Sequence, residues 1–197
     1  MRHAPLTVRR WTREQYDRLV DAGLLHGELI ELIGGQLLVA EPQGAYHASR
    51  IGAAGDTLRS AVPPGWLVRV QMPVALDDES APEPDLALVP GTWADYDSSH
   101  PARPVLVIEV AESSLAFDRR EKGSLYARAG LPDYWILNLV DRVLEVYRDP
   151  VRDAAASFGW RYGTVERMTP PAIASPLALP IVRIPVSAFL PQRAGVP

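Results

Sequence analysis

The spacing of apolar and polar positions changes several times along the chain, and each stretch predicts an element. Thr12 followed by Gln15 has the separation of a capping box, and Gly23 suits a helix C-cap, so a short helix is predicted over 12–22. Residues 28–39 read as two short strands about Gly34-Gly35, a pair suited to the positive-φ corners of a hairpin. Between 45 and 61 the apolar residues Ile51, Ala54, Leu58 and Ala61 recur at helical spacing, and Pro63 ends the run. Strand-like runs follow at 66–76, 85–89 and 105–111, the last almost continuously apolar. Residues 117–129 read as a helix closed by Gly130 and Pro132. A strand pair is then predicted at 133–139 and 143–148 about residues 140–142, a further strand at 159–166, and a last short strand and turn at 181–190. This order predicts an α/β fold, a mixed β-sheet with helices on its faces.

Composition narrows the chemistry. The chain has 197 residues, 47% of them hydrophobic and 22% charged, the balance of a single folded domain of ordinary size. There is no cysteine, which excludes disulfides, thiolate zinc sites, iron–sulfur clusters and a cysteine nucleophile. No segment approaches the ~20 apolar residues of a membrane span, and the arginines of the first eleven residues precede no apolar signal region, so a cytoplasmic protein is expected. Of twenty basic residues, Lys122 is the sole lysine. An ammonium is a compact point charge and a guanidinium a broad planar fork, so a lone lysine among arginines marks a position worth following.

Glu109 lies within Pro-Val-Leu-Val-Ile-Glu-Val-Ala at 104–111, a run that otherwise reads as a buried central strand. Alternation sets it on one face with Val107 and Ala111, and sets Leu106, Ile108 and Val110 on the other. A buried carboxylate requires a cation or dedicated donors; the alternative is a strand-end position facing solvent or an arginine. Asp85 opens a short apolar strand after an acidic, proline-rich loop. Facing carboxylates on adjacent strands, ~4.8 Å apart, can share a divalent ion, and oxygen-only ligands favour Mg²⁺ or Mn²⁺. Glu83 reads as a solvated loop charge. Asp118, Lys122 and Tyr126, four residues apart, project from one helix face. They form either an exposed ion pair with a half-buried tyrosine or a group that sets the ammonium over a metal site.

Several stretches together resemble the Uma-type restriction-endonuclease-like family of the PD-(D/E)XK nuclease superfamily. They are Glu31-Leu-Ile-Gly-Gly-Gln-Leu37, His47, Val70-Gln-Met-Pro-Val74, Pro84-Asp85, Glu109-Val-Ala111, Asp118 to Lys122, and Gly130-Leu-Pro-Asp-Tyr-Trp135. The resemblance runs from Trp11 to Leu190. It implies a single restriction-endonuclease-like domain over 1–197, a mixed sheet flanked by helices, with an added N-terminal hairpin and C-terminal strands. It implies Asp85, Glu109 and Glu31 as metal ligands and Asp85, Glu109 and Lys122 as the catalytic set. The superfamily motif places lysine two residues after the acid, where this chain has Ala111; the family supplies it from the next helix, at Lys122. His47, Gln71, Asp118 and Tyr126 are expected to support the site.

The implied reaction is Mg²⁺- or Mn²⁺-dependent hydrolysis of DNA phosphodiester bonds, with homodimerisation expected because double-strand cleavage needs two sites. Another phosphodiester substrate is a third reading of the same residues. The alternative, favoured by Ala111 and a pI of about 5.6, is a catalytically silent nuclease-fold module that binds nucleic acid or a protein partner. The net charge of −4 is unevenly spread: residues 77–97 hold seven acidic and no basic residues, so the remainder carries +3. Arginines 2, 9, 10, 13, 119, 120 and 128 are candidates for lining a cleft, although any one cluster of them reads first as a solvated arginine face. No helix-turn-helix, zinc finger or aromatic-rich basic stripe marks a sequence-reading element.

Overall fold

The computed structural model describes residues 7–40 and 42–190; Arg2 lies outside them. Helix α1 (Arg13–Asp21) starts on the predicted capping box, with the Thr12 hydroxyl accepting from the Gln15 amide and the Gln15 side chain from the Thr12 amide. Strands β1 (Ile30–Ile33) and β2 (Gln36–Val39) pair about Gly34 and Gly35, whose φ values of 54° and 77° justify the two glycines. Helix α2 (Ala45–Ala61) has the predicted bounds.

The main sheet has six strands: β3 (Trp66–Val70), β4 (Leu86–Pro90), β5 (Leu106–Ala111), β6 (Asp133–Asn138), β7 (Val143–Arg152) and β8 (Trp160–Met168). They lie in that order, antiparallel except for the parallel pair β5–β6. A helical crossover joins the parallel pair: α3 (Leu115–Phe117), a π-helical turn (Asp118–Lys122) and α4 (Gly123–Arg128). A small pair, β9 (Ile173–Ala174) with β10 (Ile184–Pro185), and the short helix α5 (Val186–Phe189) complete the described chain.

The alternation predicted for β5 holds. Leu106, Ile108 and Val110 join the larger core beneath α2 and the C-terminal segment. Val107 and Ala111 face the crossover helix, packing with Tyr126, Ala127, Tyr134 and Ile136. Glu109 therefore lies in the middle of the helix-covered face.

Some expectations need correction. The strand predicted over 66–76 stops at Val70, because Gln71 takes φ 47° and turns the chain away from the sheet. Asp85 precedes β4 rather than opening it. The tail expected as a strand and turn is a two-residue strand followed by α5; Val182, Ile184, Val186, Phe189 and Leu190 close the larger core.

Candidate active site

The site is built on one row across the sheet. The register that sets Leu86 opposite Ile108 puts Asp85 beside Glu109, and the Asp85 amide points at Glu109 Oε2, 3.4 Å away. Asp85 Oδ2 accepts from the Val110 amide at 2.8 Å, and Gln71 Nε2 stands 3.5 Å from Oδ1. Gln71 also extends the row through its own amide, which donates to the Asp85 carbonyl. The β3–β4 register sets Gln71 opposite Asp85, at the left-handed residue where β3 ends.

The crossover helix supplies the remaining groups. Lys122 Nζ lies 3.0 Å from Glu109 Oε1 and 3.3 Å from Glu31 Oε1, and the Tyr126 hydroxyl donates to Glu109 Oε1 at 2.7 Å. The Ser114 hydroxyl donates to Asp118 Oδ2 at 2.6 Å. Asp118, Lys122 and Tyr126 are all buried, so the face predicted for them is the sheet-facing one and the exposed ion pair is excluded. In an uninterrupted α-helix, residue i+8 would be rotated about 80° past residue i. The wider π turn takes back part of that rotation, and its Asp118 carbonyl accepts from the Gly123 amide and from Tyr134 Oη, the latter at 3.1 Å.

Glu83 is not the solvated loop charge expected from its surroundings. It is half-buried, and its amide donates to Glu31 Oε2 at 3.1 Å. Burial, followed by repulsion from Glu31, raises its carboxyl to about 7. The signal was present in Pro82-Glu83-Pro84-Asp85, where two prolines rigidify a loop leading to the candidate ligand. His47, on α2, is half-buried and acts on Asp85 electrostatically.

Five carboxylates, Glu31, Glu83, Asp85, Glu109 and Asp118, thus surround one ammonium. Burial pushes Glu109 well above the ordinary carboxylate range despite Lys122, and raises Asp118 to about 6. Asp85 is raised by burial against the opposing pull of the Val110 amide, Lys122 and His47. Burial works against the charge on Lys122, but Glu109, Glu31, Asp118 and Asp85 outweigh it and hold the ammonium above its usual range. The cluster carries more potential negative charge than its own cation balances.

Residues 13–186 match the model of the Uma2 family, described as "Putative restriction endonuclease". The chain belongs to the Uma2 family. No curated protein matches it. A crystal structure described as a putative nuclease belonging to DUF820, from Anabaena variabilis ATCC 29413, is similar with a TM-score of 0.59. The likeness covers 82% of this chain and 89% of that one at 16% identity, so it carries the fold.

The donor set of this Uma2-family chain fits a hard divalent cation. Among the described residues no three His, Asp or Glu side chains form a ready-made cage. Mg²⁺ seldom needs one: it takes one or two carboxylates and fills its remaining positions with water and phosphate oxygens. Asp85 and Glu109, side by side and under-compensated, supply such a pair, with Glu31 beyond the ammonium.

The arginines proposed to line a cleft are largely engaged within the fold. Arg119 grips Glu145 with two bonds, Arg128 pairs with Asp77 at 2.6 Å, and Arg13 bonds the Asp77 carbonyl and pairs with Asp17. Arg10 donates to the Gly34 carbonyl. No helix among the described residues is long and apolar enough to cross a membrane.

Proposed function

We propose that this chain is a divalent-metal-dependent DNA endonuclease that hydrolyses phosphodiester bonds at Asp85, Glu109 and Lys122. The observation that carries the reading is the meeting of the sole lysine with the Asp85–Glu109 pair: Nζ is 3.0 Å from Glu109 on the face where the two carboxylates adjoin. Family membership supports the same chemistry.

Asp85 and Glu109, assisted by Glu31, would hold Mg²⁺ or Mn²⁺, which when bound supplies Lewis acidity toward water and phosphoryl oxygens. Tyr126 holds Glu109 through its hydroxyl, and Gln71 steadies Asp85. Lys122, kept protonated by its acidic neighbours, offers its ammonium to the negative charge that develops as water adds to phosphorus and the leaving oxygen departs. Asp118 sustains that charge from the preceding helical turn. His47 faces the same carboxylates from α2 and is assigned a contact to a backbone phosphate. Double-strand cleavage needs two such centres, so a homodimer belongs to this reading, and light scattering with and without duplex DNA tests it.

Wild-type protein is expected to nick or cut supercoiled plasmid with Mg²⁺ or Mn²⁺, and EDTA, Asp85→Ala or Lys122→Ala abolishes this. Intact plasmid with both metals, together with no metal binding by calorimetry, overturns the reading. A second reading, a silent nucleic-acid-binding module, is favoured by Ala111 at the superfamily's lysine position and by the engagement of Lys122 with Glu31. It gains if metal and DNA bind while no strand is cut.

A further inference from the structure

Arg69 is 4% exposed, yet among the described residues it pairs with no carboxylate. Its Nη2 donates to the Pro73 carbonyl at 3.4 Å and faces His100 Nδ1 at 3.3 Å, and the guanidinium stands 5.7 Å from the Tyr96 ring centre. Its Nε is buried with no hydrogen-bond partner. A buried cation without a counter-charge is costly, and a donor left unmet adds to that cost. Burial correspondingly weakens the hold of Arg69 on its proton, and Tyr96 only partly opposes this.

Its position links this imbalance to the candidate active site. Val68 and Val70 enter the larger core, so Arg69 projects from the opposite face, the one that carries Glu109. Arg69 lies opposite Ala87 and Gln71 is bonded to Asp85, so Arg69 sits one strand over and two residues along from Asp85. Strand spacing and rise put their Cα atoms about 8 Å apart. Arg69 is therefore near the acidic cluster without belonging to it. His100, which covers it, is itself exposed, so solvent lies one side chain away.

We propose that Arg69 is a phosphate-binding residue, taking a phosphate adjacent to the one that a metal at the carboxylate pair would hold. For a phosphate of the DNA backbone this rests on the nuclease reading; for a free phosphate it does not. A planar guanidinium suits two oxygens of one phosphate, its Nε here is an unmet donor, and Arg69 becomes the positioning residue that sets a strand across the site. No carboxylate lies within ion-pairing distance of the guanidinium among the described residues, so its charge is not already engaged by the acidic cluster.

Two measurements on wild type, Arg69→Met and Arg69→Lys test this. In thermal unfolding, inorganic phosphate at constant ionic strength is expected to raise the Tm of wild type and not of Arg69→Met, whose Tm without phosphate equals or exceeds that of wild type. In duplex binding with Ca²⁺, Arg69→Met is expected to lose about tenfold in affinity and lower the salt slope by about one, with Arg69→Lys between. Response to phosphate without any DNA binding assigns the site to a free phosphate and removes the nuclease reading alone. The proposal is overturned if Arg69→Met binds both phosphate and DNA as wild type does. It is equally overturned if both Arg69 variants melt well below wild type while phosphate leaves the wild-type Tm unchanged, since Arg69 would then only support the fold.

Discussion

Lys122 and Glu109 meet at 3.0 Å although one lies on the crossover helix and the other on the strand before it. The helix leaves β5, turns back over the sheet and returns the only lysine of the chain to the face it has just left. Because that pair is buried, each partner determines the state of the other: Lys122 stays charged through its acidic neighbours, and among the described residues Glu109 has no other cation in contact. Most of the testable behaviour of the site follows from this dependence.

Removing the ammonium should be costly. Lys122→Met leaves Glu109 buried and Glu31 half-buried without the ammonium that paired with both, and loss of one partner of a buried pair costs roughly 3–5 kcal/mol. Urea unfolding at pH 8 is expected to show a loss of that order. Mg²⁺ is expected to recover part of it by taking over the charge that lysine balanced. A variant as stable as wild type without metal would contradict the buried pair.

The acidic cluster gives stability a definite slope with pH. Glu83 and Asp118 are raised to about 7 and about 6, above their ordinary values near 4. A group whose folded pKa exceeds its unfolded one contributes stability fully below the unfolded value, and that contribution is lost as pH rises through the folded one. Metal-free protein is therefore expected to lose this contribution between about pH 4 and 7. Tm measured across that range with EDTA should fall, and the fall should shrink with Mg²⁺. A flat profile in EDTA would refute the burial of these carboxyls.

Glu145 works in the opposite sense. Burial would raise it, but bonds from Arg119, Asn138 and Tyr147 prevail and lower it to about 2. Its stabilisation is present above the ordinary glutamate range and is lost as pH falls from about 4.5 through 2. Acid titration followed by circular dichroism should show an unfolding limb in that window. Glu145→Gln should flatten it, whereas Arg119→Met should destabilise the protein at neutral pH by roughly 3–5 kcal/mol.

Tyr126→Phe isolates one hydrogen bond. The hydroxyl donates to Glu109 at 2.7 Å from within the helix-side core, so its loss removes a bond to a charged group, worth about 1.5–3 kcal/mol, and leaves the packing intact. The cost should be larger at high pH, where Glu109 is a carboxylate, than at low pH, where it is protonated; urea unfolding at one pH of each kind compares the two. Equal costs at the two pH values would mean that the hydroxyl does not stabilise the carboxylate.

How much of the fold was legible depends on range. The capping box of α1, the Gly34-Gly35 hairpin, the bounds of α2 and the two faces of β5 follow from spacing and from local backbone preference. The end of β3 did not, because the left-handed backbone of Gln71 is a departure from preference for a non-glycine residue. Nor did the π turn at 118–122, which is supported by the tertiary bond from Tyr134 to the Asp118 carbonyl.

The same division runs through the site. The sequence by itself determined which residues were chemically out of place: a carboxylate inside an apolar strand, a single lysine among nineteen arginines, and a helix face of Asp118, Lys122 and Tyr126. Those are local anomalies of polarity and spacing, visible without coordinates. Only the tertiary structure decided which charges are buried together. It drew Glu83 into the cluster, engaged Arg119 and Arg128 with Glu145 and Asp77, and enclosed Arg69 with no carboxylate paired to it among the described residues. The physical reason is that the cost of a charge depends on the solvent and partners around it, and those are supplied by residues distant in the chain.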